Sequence, residues 1–380
     1  MGADDKGESM TDIRKRTWAE IHLGRLAHNC EKIRAGLPAG CRFMGIVKAD
    51  AYGHGAVPVA KRMEALGADY LAVSCFDEAM ELRTAGISAP ILILGITPPE
   101  LTHELVEQDL TQTVGDLETA VEMERLLRGG DKKLRIHVKL DSGMGRLGFI
   151  AAQEETRAEL KKLLTMDCFE AEGIFTHFAV ADDPADAFTA EQFALFTETV
   201  DTVEKDTGHR FAIRHCANSG AVINYKELSG DMIRPGILSY GVLPGPGEFA
   251  GLAPVMELKT RVSAVTRHKK GDSVSYGRTF IAPRDMRLAV LPIGYADGLH
   301  RSLSDRMEVL IGGSRAKQVG RICMDMCMVD VTDLPDVAPG DEVTIFGMGL
   351  PVEEQAEKAG TIPYELICAV SKRVPRVYVD

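Results

Sequence analysis

The chain lacks several features that would place it in a special class of protein. No stretch of the sequence approaches the roughly 20 apolar residues that a membrane-spanning helix needs. The eight cysteines are scattered, with no Cys-x-x-Cys pair and no zinc-finger spacing, which suits free thiols in a reducing compartment. These absences predict a soluble, cytoplasmic protein without a metal site.

Basic residues form no run or stripe either, and acidic residues outnumber them. Lys and Arg number 44 against 56 Asp and Glu, which gives a formal net charge of −12. Such a balance makes a polyanion such as nucleic acid an unexpected partner. Residues 1–16 are charged and polar with no apolar signal core, and they predict a disordered leader. The remaining length is sufficient for two domains with full cores.

From residue 43 to about residue 236, short apolar strands alternate with helical segments. Amphipathic helices are predicted at 56–66, 76–85, 116–128 and 189–207. The predicted strands are 43–48 (FMGIVK), 69–74 (DYLAVS), 90–95 (PILILG), 111–114 (TQTV), 134–140 (LRIHVKL), 172–177 (EGIFTH), 212–217 (AIRHCA) and 231–235 (DMIRP). This alternation is typical of parallel βαβ units, and eight of them predict a closed (β/α)8 barrel of the TIM type. An open doubly wound sheet is the alternative, but no glycine-rich dinucleotide fingerprint follows any strand.

The sequence changes character near residue 252, where β-rich segments replace the alternation. They are predicted at 255–267, 272–280, 287–293, 308–311, 316–331 and 342–346, with a short helix at 352–360. Turn signals such as Gly312-Gly313 separate them. The sequence thus predicts a barrel over residues 17–254, followed by a mainly β domain over residues 255–380.

Unusual polar residues follow the predicted barrel strands at the C-terminal ends, where the active sites of such barrels lie. Lys48 ends the first strand, where desolvation would lower the pKa of its amine. The neutral amine can hold an aldehyde as a Schiff base. Taken alone, a strand-end lysine more often reaches water along its stem. The same rim, however, also carries Lys139, Asp141, His177, Asn218, Ser219 and Arg234.

The loops after the last two strands are where such barrels bind phosphate. Ser219 supplies a hydroxyl there, and Gly236 and Ile237 are expected to supply free backbone N–H groups. A Schiff-base lysine and a phosphate cradle on one rim indicate an aldehyde cofactor that carries a phosphate. Pyridoxal 5′-phosphate (PLP) meets both requirements.

The residues around Lys48 also carry a family resemblance. Residues 47–55 (VKADAYGHG) resemble the PLP-attachment signature of bacterial alanine racemases. The similarity runs from about residue 17 to residue 380, through 137–148 (HVKLDSGMGRLG), 234–236 (RPG), 275–277 (SYG), 294–298 (GYADG) and 323–325 (CMD). It implies a PLP-dependent racemase that interconverts L- and D-alanine, works as a homodimer with shared active sites, and supplies D-alanine for cell-wall precursors.

The resemblance also implies the catalytic residues. Racemisation needs one base on each face of the substrate carbon, because reprotonation from the same face changes nothing. Lys48 corresponds to one base, and Tyr276, reached from the β domain of the partner subunit, corresponds to the other. A hydrogen-bond chain of Tyr276, His177 and Arg234 is implied, with Arg234 facing the pyridine nitrogen. Because a guanidinium does not readily give up a proton, that nitrogen should stay unprotonated and transamination should be suppressed.

Further residues match the binding groups of the family. Arg146 and the backbone N–H of Met324 resemble the holders of the substrate carboxylate. Tyr52 is expected to bind the phosphate, and Tyr295 resembles a residue of the substrate channel. Lys139 matches a lysine that family members often carbamylate, which would turn a cation beside Arg146 into an anion. The alternative is an unmodified barrel lysine that pairs with Asp141.

One position departs from the family pattern. Many alanine racemases carry tyrosine where this chain has Lys372, and that tyrosine touches the phosphate and narrows the pocket. Lysine can still act as a point charge for phosphate, but it does not form a rigid wall, so a preference for serine is an open alternative. Two others are a PLP-binding homeostasis protein built on the barrel alone, and a PLP amino-acid decarboxylase. The predicted β domain with Tyr276 argues against the first.

Overall fold

A computed structural model describes residues 16–245 and 249–380. The predicted leader lies outside the described residues, with the exception of Arg16. The strands are β1 (Thr17–His22), β2 (Arg42–Ile46), β3 (Tyr70–Val73), β4 (Ile91–Ile93), β5 (Leu110–Val114), β6 (Leu134–Asp141), β7 (Phe149–Ile150), β8 (Phe169–Phe175), β9 (Ile213–His215), β10 (Met232–Ile233), β11 (Met256–Arg261), β12 (Ala264–His268), β13 (Ser273–Val274), β14 (Phe280–Ile281), β15 (Met286–Leu291), β16 (Glu308–Ile311), β17 (Ser314–Val319), β18 (Cys327–Asp330), β19 (Glu342–Phe346) and β20 (Arg376–Val379).

Helical segments occur between the strands in both halves of the chain. They are α1 (Leu23–Ala35), α2 (Lys48–Gly53), α3 (Ala56–Ala65), α4 (Phe76–Thr84), α5 (Thr102–Glu107), α6 (Leu117–Leu127), α7 (Glu154–Leu163), α8 (Phe188–Thr207), α9 (Ser219–Asn224), α10 (Gly236–Ser239), α11 (Val352–Ala359) and α12 (Pro363–Ala369). No helix in the described part of the chain is both long enough and apolar enough to cross a membrane.

The chain divides into two compact units. The barrel unit consists of Ala27–Ser239 and Leu243–Leu252. The β unit consists of Tyr240–Val242, Ala253–Asp380 and the described residues up to Leu26.

The barrel unit is built on eight parallel strands in the order β10-β2-β3-β4-β5-β6-β8-β9. Backbone hydrogen bonds from Asp231 N to the Arg214 carbonyl and from Arg234 N to the Ala217 carbonyl, each 2.9 Å, join the two ends of this series. All eight predicted strands are present, and the predicted (β/α)8 barrel is confirmed.

The short, apolar sequences of the barrel strands fit positions where both faces of a strand are buried. Strands β3, β4 and β5 are buried along their whole length, as expected of parallel strands that are covered by helices. Helix α3 turns Val59, Ala60 and Met63 toward this core. Gly45 in β2 permits that close packing, because a Cβ there would lie 2.5 Å from the Met63 sulfur.

The β unit contains a nine-stranded sheet in the order β12-β15-β18-β17-β16-β19-β11-β1-β20 and a two-stranded ribbon of β13 and β14. Most neighbouring strands of the nine-stranded sheet are antiparallel. Strand β1 is antiparallel to β11 and parallel to β20. The predicted mainly β character is confirmed. The sequence did not predict β1 as a strand, and its place in this sheet depends on partners far along the chain.

Candidate active site

Lys48 opens a single left-handed turn at the end of barrel strand β2. The four residues Ala49, Asp50, Ala51 and Tyr52 have φ values of 52°, 53°, 52° and 53°. This region costs an L-residue about 1–2 kcal/mol because its Cβ approaches the following carbonyl oxygen. Four such residues in a row are therefore sustained only by the structure around them.

Side-chain hydrogen bonds, both accepted and donated, hold this left-handed turn. The Glu78 carboxylate, on α4, accepts hydrogen bonds from Ala49 N and Ser74 N, each at 2.6 Å. Asp50 Oδ1 accepts from Ala56 N at 2.7 Å and ties the turn to the start of α3. The buried His54 ring lies 2.9 Å from the Ala51 carbonyl through Nδ1. These contacts fix the direction in which Lys48 leaves the strand.

Arg234 forms the centre of a buried polar cluster in the barrel unit. Its Nη2 donates to the carbonyls of Thr176 at 2.8 Å and Cys216 at 3.1 Å, and lies 3.3 Å from His177 Nδ1. Its Nη1 lies 2.9 Å from His215 Nδ1. Burial lowers the pKa of Arg234 to about 10, which still leaves it charged near neutral pH.

Four cations act on the His177 ring. Burial is the largest cause that lowers the pKa of His177 well below 6.5, and the charges of Arg234, Arg146, Lys139 and Lys48 add to it. His177 is therefore a neutral imidazole at neutral pH. The structure thus brings together five of the residues that the sequence predicted for the site.

Asp141 organises the Arg146 loop, and beside it Lys139 Nζ donates to the Leu140 carbonyl at 2.6 Å. The Asp141 carboxylate accepts from the backbone N–H groups of Gly143 at 2.9 Å, Gly145 at 3.1 Å and Arg146 at 3.0 Å. Burial, reinforced by the charge of Arg234, lowers the pKa of Lys139 to about 7. A substantial fraction of this lysine is therefore a neutral, nucleophilic amine near neutral pH.

At the predicted phosphate cradle, two hydroxyls pack close to a glycine. A Cβ at Gly236 would lie 2.8 Å from the Tyr52 hydroxyl and 3.6 Å from Ser219 Oγ. Gly236 N already donates to the Arg234 carbonyl at 2.9 Å, so the expectation of a free N–H at Gly236 is wrong. The glycine contributes space instead. Ile237 follows it in the first turn of α10.

Tyr276 lies on a strained turn of the β unit. Ser275 and Arg278 have φ values of 65° and 50°, and Gly277 between them has 71°. Ser275 Oγ fixes the turn by donating to the Arg321 carbonyl at 2.5 Å. The Tyr276 side chain itself is 69% exposed in the single chain.

The other predicted residues of the β unit are joined by the buried carboxylate of Asp297. Asp297 Oδ2 accepts from Gly294 N at 2.9 Å, and Oδ1 pairs with Arg373 Nε at 3.0 Å. The loop of Tyr295 is attached to the loop of Met324 by a bond of 3.0 Å from Ala296 N to the Met324 carbonyl. Lys372 is exposed and precedes Arg373 directly, and Ser371 N donates to the Asp297 carbonyl at 3.1 Å. Tyr295, Met324 and Lys372 are thus on one set of connected loops.

Several supporting residues were not predicted from the sequence. Their roles depend on contacts with backbone groups or on buried partners, which the sequence does not reveal. Only the two histidines, each within an apolar strand, could have been noticed as candidate site residues. They are Glu78, Asp297, His215, His137 and Glu172.

Comparison with known proteins places this arrangement in a family. The family model described as alanine racemase, N-terminal domain, matches residues 21–244, and that of the alanine racemase C-terminal domain matches residues 255–378. An alanine racemase of Desulfovibrio desulfuricans is 45% identical over 375 residues, which cover 98% of this chain and 100% of the relative.

Solved structures agree along nearly the whole length. The alanine racemase of Clostridium difficile 630 superposes with a TM-score of 0.90 at 40% identity, covering 96% of this chain and 95% of the other. The alanine racemase of Streptomyces coelicolor A3(2) gives a TM-score of 0.91 at 36% identity, covering 97% and 100%. The chain therefore belongs to the alanine racemase family.

Proposed function

We propose that this protein interconverts L-alanine and D-alanine with PLP as its cofactor. The observation that carries the proposal is the placement of Lys48, Lys139 and Arg234 at or just beyond the C-terminal ends of strands of one barrel, where Arg234 Nη2 lies 3.3 Å from His177 Nδ1. Lys48, Lys139 and Arg234 belong to the segments that resemble the family signatures. The match of both family models along the chain supports the same conclusion.

The residues of the barrel unit suit PLP. Lys48 supplies an amine for the aldehyde, on a turn whose direction is fixed by Glu78 and Asp50. The hydroxyls of Tyr52 and Ser219 lie close together at Gly236 and are suited to hydrogen-bond a phosphate, and the glycine leaves room for the Tyr52 hydroxyl to approach the backbone. We assign Tyr52, Ser219, Gly236 and Ile237 to the phosphate, and Arg234 and His177 to the pyridine end.

When bound, PLP withdraws electrons from the substrate and makes its Cα–H acidic. Lys48 would hold or release the proton on one face of that carbon. We assign the opposite face to Tyr276, contributed by a second copy of the chain in a homodimer. Its exposure of 69% in the single chain supports a role toward a partner.

Arg234 would limit the cofactor to one reaction. It is buried, it keeps its charge near neutral pH, and it donates hydrogen bonds without accepting them. Facing the pyridine nitrogen, it would leave that nitrogen unprotonated. A weaker electron sink gives less opportunity for protonation away from the substrate carbon, so racemisation is favoured over transamination.

The substrate carboxylate is assigned to Arg146 and to the backbone N–H of Met324. Asp141 holds the Arg146 loop through three backbone hydrogen bonds, so the guanidinium projects from an ordered loop. We further propose that Lys139 carries a carbamate, which would place an anion beside Arg146. Its pKa of about 7 supports this, because carbon dioxide reacts with the neutral amine.

Serine as the preferred substrate is a second candidate, and it depends on Lys372. The exposed Lys372 stands beside the loops of Tyr295 and Met324 where a tyrosine wall is common in the family. The homeostasis-protein and decarboxylase alternatives lack comparable support. The C-terminal family model matches residues 255–378, which a barrel-only protein would lack. We also propose a cytoplasmic location, on the scattered cysteines. Along the sequence we propose domain limits at 17–254 and 255–380, although the described residues up to Leu26 and Tyr240–Val242 belong to the β unit of the structure.

The decisive experiment is a racemisation assay in deuterated water over a panel of L-amino acids. Alanine should exchange its α-proton and racemise at the highest kcat/KM, with serine as the nearest competitor. Faster turnover of serine would establish the second candidate. Absence of α-proton exchange with every amino acid would refute the proposed activity.

A further inference from the structure

A chain of buried polar side chains extends from Arg234 across the interior of the barrel unit, away from the groups assigned to catalysis. Arg234 Nη1 lies 2.9 Å from His215 Nδ1, and His215 Nε2 lies 2.9 Å from His137 Nδ1. His137 Nε2 lies 3.4 Å from the Glu172 carboxylate, which also accepts from the Tyr70 hydroxyl. His137, His215 and Arg234 are at most 5% exposed.

Arg234 fixes the direction of every hydrogen bond in this relay. A guanidinium only donates, so His215 Nδ1 must accept and its proton must be on Nε2. His215 Nε2 then donates to His137 Nδ1, and His137 donates from Nε2 to Glu172. A second proton on His137, at Nδ1, would face the proton on His215 Nε2, and that hydrogen bond would be lost. The relay is therefore complete only when both imidazoles are neutral.

The charge states of the groups agree with this direction. Burial lowers the pKa of His137, although Glu172 acts in the opposite sense. Burial, followed by the charge of Arg234, lowers the pKa of His215 well below 6.5. Burial acts to raise the pKa of Glu172, but hydrogen bonds from His137 and Tyr70 leave it below its ordinary value. Glu172 is thus the anionic end of the relay.

The barrel contains two local features that make room for the relay. The register between β6 and β8 shifts so that Ile136 pairs with Ala171 and His137 with Gly173, which leaves Glu172 as the extra residue of a β-bulge. Bulges redirect a side chain. A Cβ at Gly173 would lie 2.7 Å from the His137 ring, so glycine is required beside it.

Phe175 supports the other end of the relay. Its ring stacks on His215 at 4.7 Å between centroids, and the Arg234 guanidinium lies 5.4 Å from the same ring. The hydrogen-bond partners of Arg234 Nη1 and Nη2 are neutral carbonyls and imidazoles. The carboxylate is kept three hydrogen bonds away, at Glu172.

We propose that Glu172 is a remote positioning residue that orients Arg234 and, through His137, polarises the hydrogen bond from Arg234 to His215. The proposal rests on the function proposed above, because it gives Arg234 its place at the pyridine nitrogen. A carboxylate next to that nitrogen would promote its protonation and strengthen the electron sink. The relay supplies Arg234 with the influence of an anion while it keeps the acid itself away from the cofactor.

A purely structural role for Glu172 predicts different behaviour. Arg135 Nε lies 3.9 Å from the Glu172 carboxylate, so Glu172 also belongs to an ion pair at the partly exposed end of the relay. If that pair were its only function, loss of its charge would change stability alone. It would not alter a histidine two hydrogen bonds away, nor the partition between reactions.

The test compares Glu172→Gln with the matched variant Tyr70→Phe in the PLP-loaded protein. Glutamine keeps an oxygen that accepts from His137 but removes the charge, whereas Tyr70→Phe removes the other hydrogen bond to Glu172 and keeps the charge. With histidine labelled by ¹⁵N, His137 and His215 should give the signals of neutral Nε2–H rings in the wild type. The His215 signals should shift in Glu172→Gln and stay close to those of the wild type in Tyr70→Phe.

Kinetics provide a second readout. Glu172→Gln should lower kcat by about tenfold with KM little changed, since coupling through such networks has about this size. It should also raise the pyruvate formed per racemisation turnover, because an Arg234 that is less firmly oriented limits the cofactor to racemisation less strictly. Unshifted His215 signals and an unchanged pyruvate fraction in Glu172→Gln would overturn the relay. A wild-type protein that does not racemise alanine would instead overturn the proposed function, so the two failures are distinct.

Discussion

Glu78 Oε1 accepts a hydrogen bond of 2.6 Å from the backbone N of Ala49, the first left-handed residue after Lys48. Its second oxygen, Oε2, accepts a hydrogen bond of the same length from Ser74 N. One side chain therefore joins the Lys48 turn to the end of the neighbouring strand β3. The turn would otherwise relax toward the right-handed region, which L-residues prefer. The direction of the Lys48 side chain therefore depends on an acidic residue of helix α4.

Glu78→Gln should weaken this turn, because an amide offers one acceptor oxygen where the carboxylate offers two. One backbone N–H then faces an NH₂ group. We expect a loss of about 1–3 kcal/mol in the free energy of unfolding, the size of a broken hydrogen bond to a charged group. The exposed neighbour Asp77→Asn, on the same helical turn, is the control. Equal urea midpoints and equal PLP retention in the two variants would show that Glu78 does not support the turn.

Lys139 should react with carbon dioxide more readily than an ordinary lysine. Its pKa of about 7 gives a large neutral fraction at pH 8, and formation of the carbamate releases one proton. Protein incubated with ¹³C-bicarbonate at pH 8 should show a carbamate carbon by NMR, which fades as the pH falls below 7. The signal should be absent from Lys139→Ala and present in Lys162→Ala, an exposed lysine. A carbamate signal that survives in Lys139→Ala would place the modification elsewhere.

Much of the fold could be predicted because the barrel strands are buried on both faces. Segments such as β3 and β4 are continuous apolar runs between helices, and such runs are visible in any window of sequence. Strand β1 was missed for the opposite reason. It pairs with β11 and β20, which are more than 200 residues away, and its sequence, TWAEIH, is not distinctive.

The candidate site divides in the same way. Lys48, His177 and Arg234 could be predicted because polar residues at the ends of apolar strands stand out. Glu78 could not, since helix surfaces carry many glutamates and its partners are backbone groups of a turn whose left-handed form is not evident in the sequence ADAY. Glu172 was hidden because its position depends on a register shift between two strands.

Tyr276→Phe should abolish racemisation and leave PLP attached to Lys48. Loss of a general acid or base typically lowers a rate by about 10²–10⁴-fold. Because Tyr276 is 69% exposed and packs little within its own chain, stability should be unaffected. Tyr378→Phe, in the same unit, controls for removal of a tyrosine hydroxyl. The absorbance of bound PLP and the racemisation of both enantiomers are the measurements. Undiminished racemisation from either direction would exclude Tyr276 as the second base.

Lys372→Tyr should sharpen discrimination between alanine and serine. An aromatic ring would replace a flexible chain beside the loops of Tyr295 and Met324, and a shaped wall can reject the larger hydroxymethyl side chain of serine by about tenfold. The ratio of kcat/KM for the two substrates is the measurement, with Lys317→Tyr, at an exposed lysine of β17, as the control. An identical ratio in wild type and Lys372→Tyr would remove Lys372 as a determinant of specificity.

Three histidines of the barrel unit, the buried His137 and His215 and the half-buried His177, predict that acid weakens the fold before its carboxylates titrate. Burial, followed by the charge of Arg234, holds the pKa of His177 and His215 well below 6.5, and burial also lowers the pKa of His137. The unfolded chain binds these protons near pH 6.5, so the free energy of unfolding falls below that pH by up to about 1.4 kcal/mol per unit for each histidine. The urea midpoint should therefore fall between pH 7 and pH 5, less steeply in His177→Asn, whereas the exposed His103→Gln should follow the wild type. A midpoint that stays constant over this range would mean that these histidines are not held neutral by the fold.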